Sequence, residues 1–119
     1  MAQKVLILIN DAPYGTEKAF NALRLAMQLS KDHEGVELRV FLMADAANCA
    51  LANQNTPNGY YNIERMLKAI IAKGAKVKIC GRRAEARGLK RAQLIEGTEI
   101  STMAELTSWD VDSDKVITF

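Results

Sequence analysis

Apolar positions along the chain switch between two spacings. Residues 4–9 (KVLILI) form a continuous apolar run, the signature of a strand covered on both faces, and the Asn10-Asp11-Ala12-Pro13-Tyr14-Gly15 cluster behind it predicts a turn. From Thr16 the spacing becomes helical. Thr16 stands as the cap, Glu17 suits the positive end of the helix, and Phe20, Leu23 and Met27 repeat along one face. Gly35 ends that connection. Residues 37–43 (ELRVFLM) predict a second strand, with Ala44-Asp45-Ala46 directly after it, a short helix over 47–52 and a polar loop over 53–59 (NQNTPNG).

The clearest helix opens at Asn62. Ile63, Met66, Leu67, Ile70 and Ile71 form its apolar stripe, and Gly74 takes the position just past its end. Residues 76–80 (KVKIC) predict a third strand, 81–88 a basic loop, and the stretch to Gly97 irregular chain with one helical turn. Thr102-Met103-Ala104-Glu105 fits a capping box that opens a short helix through about residue 108, and 115–119 (KVITF) predict a terminal strand. Strand and helix alternate throughout. The expected architecture is therefore one α/β domain over 1–119, an open, mainly parallel sheet with helices on both faces joined by right-handed crossovers.

Composition narrows the functions available. The chain has 119 residues, 49% hydrophobic and 25% charged, which are the proportions of an ordinary folded domain. No apolar run exceeds five residues, whereas a bilayer span needs about 20. The first run is also too short for a signal peptide and meets Asn10 and Asp11 at once, so a cytoplasmic, reducing address is expected. Cys49 and Cys80 match no zinc spacing, and the one histidine, His33, lies in a solvated Lys-Asp-His-Glu-Gly turn. No metal, cofactor or histidine-based triad is expected.

Charge is unevenly placed. Residues 73–91 carry eight Lys or Arg against Glu85 alone, while residues 92–119 carry Lys115 against six acids. Lys73, Lys76 and Lys78 read as the solvent ends of a helix and a strand, and Arg82, Arg83 and Arg87 as a loop behind Cys80. No aromatic interleaves this run and it matches no nucleic-acid motif, so nucleic acid ranks last among its partners. Solvated charge, the acidic tail of the same or a neighbouring chain, and a local anion site come ahead of it.

In an open α/β sheet, ligands bind beyond the carboxyl ends of the strands. Cys80 ends the third strand there, beside cations that favour the thiolate, and Gly81 leaves room beside the sulfur. An inert, buried Cys80 is the alternative, as it is for Cys49, which has no charge near it in sequence. Asn10 and Tyr14 offer hydrogen-bond donors from the first strand-end loop. That loop has neither GxxxxGK[ST] nor GxGxxG, so nucleotide binding there has weak support. Tyr60-Tyr61 suit a pocket or a partner chain, and Trp109 a core or interface.

Several of these segments together resemble one family along essentially the whole chain. They are Ala12-Pro13-Tyr14-Gly15, Phe41-Leu42-Met43-Ala44-Asp45-Ala46, Gly59-Tyr60-Tyr61-Asn62-Ile63, Val77-Lys78-Ile79-Cys80, Arg87-Gly88 and Asp114-Lys115-Val116-Ile117-Thr118-Phe119. They resemble the DsrE/DsrF-like family, most closely its YchN-type members. The resemblance implies a flavodoxin-like fold, a homohexamer built from trimers, and kinship with sulfur-relay proteins. It implies that Cys80 carries sulfur as a persulfide, with Arg87-Gly88 matching the family's Arg-Gly. Where close relatives carry a second cysteine three positions on, this chain has Arg83, so no Cys-Cys cycle is available in that loop. The expectation is a sulfur carrier with Cys80 as the accepting thiol, Asn10, Tyr14, Arg82, Arg83, Arg87 and Gly88 about it, and protein sulfur donors and acceptors as partners. The alternatives are a small-anion or nucleotide-binding oligomer without covalent chemistry, and a purely structural oligomer.

Overall fold

The computed structural model describes residues 2–56 and 61–119. The end of the loop predicted over 53–59, and Tyr60 with it, lie outside the described residues. Five strands form one sheet: β1 (Lys4–Ile9), β2 (Glu37–Leu42), β3 (Lys76–Cys80), β4 (Thr98–Ser101) and β5 (Lys115–Thr118). Every pairing is parallel and the order is β4-β3-β2-β1-β5. The chain therefore steps outward from β1 to β4 and then returns to the far side of β1. With right-handed crossovers, that reversal sends the last connection to the opposite face of the sheet.

The two faces carry different cores. On the first, Val5, Ile7 and Ile9 meet Val40, Leu42, Val77 and Ile79 beneath α1 (Lys18–Asp32) and α2 (Ile63–Ala72). Each large aliphatic side chain fully buried there contributes roughly 1.5–3 kcal/mol. Asn62 caps α2 through its side-chain oxygen, which accepts from Arg65 N at 3.1 Å, and Gly74 follows in the left-handed region at φ +98°. The second face is covered by α4 (Met103–Asp112), whose Trp109 packs on Leu6, Phe41 and Cys80. Phe41 and Trp109 meet edge to face at 6.2 Å. Cover on both faces explains why β1 reads as a continuous apolar run, whereas β3 alternates because Lys78 turns to the α4 face between Val77 and Ile79.

Several elements differ from the sequence expectation. α1 starts at Lys18 with Glu17 as its cap residue; the Thr16 hydroxyl donates to Asp11 Oδ2 at 2.6 Å and accepts from Lys18 N at 3.3 Å. The helix expected over 47–52 is a 3-10 segment over Ala44–Ala50. The basic loop is a short helix, α3 (Gly81–Ala86), which buries Ala84 and leads to a 3-10 turn at Arg91–Gln93. β4 was not expected, and α4 runs past residue 108 to Asp112.

Two acids of the tail pair with cations of the sheet. Asp112 binds Arg39 at 2.6 Å and Lys4 at 3.1 Å, and Glu105 binds Lys78 at 2.8 Å. These lysines and Arg39 come from β1, β2 and β3, not from the arginines of α3. Arg39 is buried, sits 5.8 Å from the Trp109 ring centre, and also reaches Glu37 at 3.2 Å. It fastens α4 to the sheet.

Candidate functional site

β3 ends at Cys80, which is both the last residue of the strand and the residue preceding α3. The period of two along β3 puts Val77 and Ile79 on the α1/α2 face and leaves Lys78 and Cys80 on the α4 face. Cys80 is 7% exposed and lines a cleft of about 550 Å³ at the carboxyl end of the sheet. Arg82, Arg83, Glu85, Ser101 and Thr102 give that cleft its polar wall, and Met43, Ile100 and Met103 its apolar one.

Gly81 has a role other than the one expected of it. A Cβ built there would stand 2.9 Å from the Ser101 carbonyl oxygen and 3.1 Å from Ile100 Cγ2. The space beside Gly81 is thus filled by the backbone of β4, which the missing side chain admits close to the start of α3.

The six residues grouped with Cys80 by sequence separate into two sets. Arg82 and Arg83 line the cleft, and among the described residues neither guanidinium has an ion-pair partner. Arg87 is turned to Asp45, which it binds through Nη2, and its Nη1 donates to the Arg83 carbonyl at 3.3 Å. Gly88 follows with φ +67°, and its N–H closes α3 on the Glu85 carbonyl at 3.0 Å. Arg87 and Gly88 thereby terminate α3 and tie it to the 3-10 segment after β2. Asn10 donates from backbone and side chain to the Phe119 carbonyl, at 2.9 and 3.3 Å, and joins the ends of β1 and β5. The Tyr14 hydroxyl accepts from Ile63 N at 3.1 Å, at the start of α2, and its ring stacks on Tyr61 at 5.5 Å. None of these four lines the cleft. In the sheet β2 separates β1 from β3, so donors from the first loop begin a strand away from the sulfur.

Sequence reasoning did not place Ser101, Glu105 or Lys78 at the site. Ser101 pairs in register with Cys80, is 4% exposed, and donates its hydroxyl to Glu105 Oε1 at 2.8 Å. Glu105 Oε2 accepts from Lys78 Nζ at 2.8 Å. The Lys78 and Ser101 hydrogen bonds hold the Glu105 carboxyl below its ordinary range, with the Lys78 charge adding to them. Lys78 is accordingly no solvent-facing lysine: its Nζ stands 4.7 Å from the Trp109 ring centre. The signal that would have found this set is the strand β4, whose register brings Ser101 beside Cys80.

Cys49 is a different thiol. It is fully buried, its Sγ donates to the Asp11 carbonyl at 3.8 Å, and burial, with the Asp11 charge second, pushes its pKa up to about 12. It is packing. Among the described residues no group of three or more His, Cys, Asp or Glu is placed to hold a metal ion. A second cleft, of about 510 Å³, opens at the amino ends of β2 and β3 and contains His33, Glu37 and Lys73 but neither cysteine.

Comparison with known proteins extends this picture. A model of the DsrE/DsrF-like family matches residues 3–119. The chain is 44% identical to protein YchN of Escherichia coli K12 over 117 residues, 98% of this chain and 99% of that one. It is 42% identical over 116 residues to an uncharacterized protein of Methanocaldococcus jannaschii, again 98% of this chain and 99% of the other. The crystal structure of the E. coli YchN protein matches with a TM-score of 0.93, covering 98% of this chain and 99% of that one. A protein of unknown function from Methanobacterium thermoautotrophicum, at 14% identity and TM-score 0.78 over the whole of both chains, shares the fold.

Proposed function

This chain belongs to the DsrE/DsrF-like family, and we propose that within it the protein handles sulfur, with Cys80 accepting sulfane sulfur as a persulfide and passing it on. The observation that carries the proposal is the cleft: a cysteine at a strand's carboxyl end opens on about 550 Å³ lined by Glu85 and by two arginines that have no ion-pair partner among the described residues. In this reading the Cys80 thiolate attacks the donor's sulfur, and Arg82 and Arg83 stabilise negative charge on the sulfur species. Arg87 acts indirectly, by holding α3 through Asp45. Donor and acceptor are proteins or small persulfides that reach the open cleft.

Replacing Cys80 by Ser separates this reading from that of a small-anion or nucleotide-binding module. A sulfur carrier loses all sulfur uptake, whereas a non-covalent module keeps its ligand affinity in Cys80→Ser. The outcome that overturns the proposal is sulfur uptake unchanged in the variant.

We further propose that the chain works in the cytoplasm as a homo-oligomer, a hexamer built from trimers. Support comes from the family kinship and from apolar side chains left open in the single chain: Met103, Val111 and Val116 are 54%, 86% and 43% exposed, on α4 and β5. No described helix is long and apolar enough to cross a membrane. Light scattering on the purified protein tests the assembly: six chains per particle is expected, and a monomer at micromolar concentration contradicts it.

A further inference from the structure

Glu105 is diverted from the task its sequence position suggests. In a Thr-x-x-Glu capping box the glutamate reaches back to the backbone N–H of the cap residue. Only half of the box forms here, with Glu105 N donating to Thr102 Oγ1 at 3.2 Å. The carboxylate instead takes the Ser101 hydroxyl on one oxygen and Lys78 Nζ on the other, each at 2.8 Å. Lys78 is fixed in turn against the Trp109 ring.

This chain of contacts decides what Ser101 can offer the cleft. A serine hydroxyl has one hydrogen and two lone pairs. With the hydrogen committed to Glu105, only lone pairs remain, on an oxygen beside Cys80 in register and on the wall of the same cleft. A group placed between Cys80 and Ser101 must therefore donate. The remaining charged groups of the cleft, Arg82, Arg83 and Glu85, all stand on α3 and are exposed. The two arginines attract any anionic carrier and do not tell one sulfur species from another.

Resting on the sulfur-carrier reading, we propose that Ser101, held as a hydrogen-bond acceptor by Glu105 and Lys78, is the specificity-determining residue of the Cys80 cleft. It selects donors that present an S–H, the hydropersulfides, over anions such as thiosulfate that can only accept. A hydropersulfide R–S–SH is an electrophile in its protonated form, whereas its anion is a nucleophile, so an acceptor that holds the S–H also holds the reactive form. The Cys80 thiolate attacks the terminal sulfur. The bond from Sγ to that sulfur forms, the S–S bond of the donor breaks with its electron pair passing to R–S⁻, and the S–H proton stays on the transferred sulfur. The products are Cys80–S–SH and R–S⁻, with no oxidant or reductant consumed. Thiosulfate in the same place would set its own lone pairs against those of Ser101, and a mispaired buried acceptor discriminates more strongly than a lost contact.

The test compares initial rates of sulfur loading on Cys80 from glutathione hydropersulfide and from thiosulfate, read by intact-protein mass spectrometry. Wild type should prefer the hydropersulfide. Ser101→Ala, which deletes the acceptor, and Glu105→Ala, which frees the hydroxyl to donate, should each shrink that preference by about tenfold. Ser101→Thr, which keeps the hydroxyl, should retain it. Glu105 lies on the surface, so its variant carries the same expectation even if Ser101→Ala fails to fold. An unchanged donor ratio in Ser101→Ala and Glu105→Ala overturns the proposal while leaving the carrier reading intact. Wild type that takes sulfur from neither donor overturns the carrier reading itself.

Discussion

Gly81 and Ser101 are in such close approach that no side chain fits between them: a Cβ on Gly81 would lie 2.9 Å from the Ser101 carbonyl oxygen. The residue after the site cysteine is therefore what allows β4 to reach the sheet and close one wall of the cleft. Gly81→Ala must push β4 outward or distort the start of α3. Backbone offers little give, so a loss of about 1–3 kcal/mol in urea unfolding is expected, as for other overpacked positions. The displaced wall should also alter the alkylation rate of Cys80. Full stability in Gly81→Ala would show that the approach is loose.

Arg39 provides a second check on how the α4 face is held. It is buried on the sheet, bound to Asp112 and Glu37, with further bonds to the Trp109 carbonyl at 3.5 Å and Ser113 Oγ at 3.2 Å. Arg39→Ala removes the cation, leaves these acceptors short of a donor and strips one face of Trp109. Asp112 and Glu37 are about half exposed and rehydrate once the cation is gone, so a loss of about 1–3 kcal/mol is expected, from the packing on Trp109 and the hydrogen bonds given up. Near-ultraviolet circular dichroism of the chain's single tryptophan should change with it.

Acid should loosen the same contact. Hydrogen bonds from Arg39, then Lys4, hold the Asp112 carboxyl below its ordinary value of 3.8. A carboxyl depressed in the folded state adds stability that is fully present above its unfolded value and disappears as pH falls through its folded value. Melting temperature should therefore fall as pH drops below about 4, and less steeply in Asp112→Asn, which has no proton to take up there. Parallel pH profiles for the two proteins would contradict this.

The two cysteines should separate in labelling. Cys49 is fully buried with its thiol pushed up to about 12, whereas Cys80 lines an open cleft. Iodoacetamide at pH 8 should modify Cys80 in the folded protein, and Cys49 only after unfolding. Peptide mapping reads both sites, and rapid native labelling of Cys49 would show that its pocket opens.

What the sequence carried depended on how far each element is specified by its own residues. β1 is legible because burial on both faces leaves a continuous apolar run, β2 and β3 because short β-branched and apolar segments stand between turn residues, and α2 because Asn62 and Gly74 mark its ends. β4 has only Thr98-Glu99-Ile100-Ser101, an edge strand with no apolar pattern, held by its pairing with β3. α3 is obscured because its arginines read as loop chemistry while Ala84 alone of its residues is buried. The site follows the same division. Cys80, Arg82 and Arg83 are neighbours in the chain and could be found there. Ser101, Glu105 and Lys78 meet only through the register of β4 and the seating of α4. Asn10 and Tyr14 lie at a strand's carboxyl end as expected, but one strand farther along the sheet, where local hydrogen bonds employ them.

The central claim, that Cys80 accepts sulfane sulfur, is tested most directly by intact-mass and peptide mass spectrometry of the protein after incubation with a hydropersulfide donor. The account predicts one added sulfur atom, located on Cys80, removed by dithiothreitol, and absent from Cys80→Ser. No labile sulfur on Cys80, under conditions in which a control relay cysteine is loaded, would contradict it.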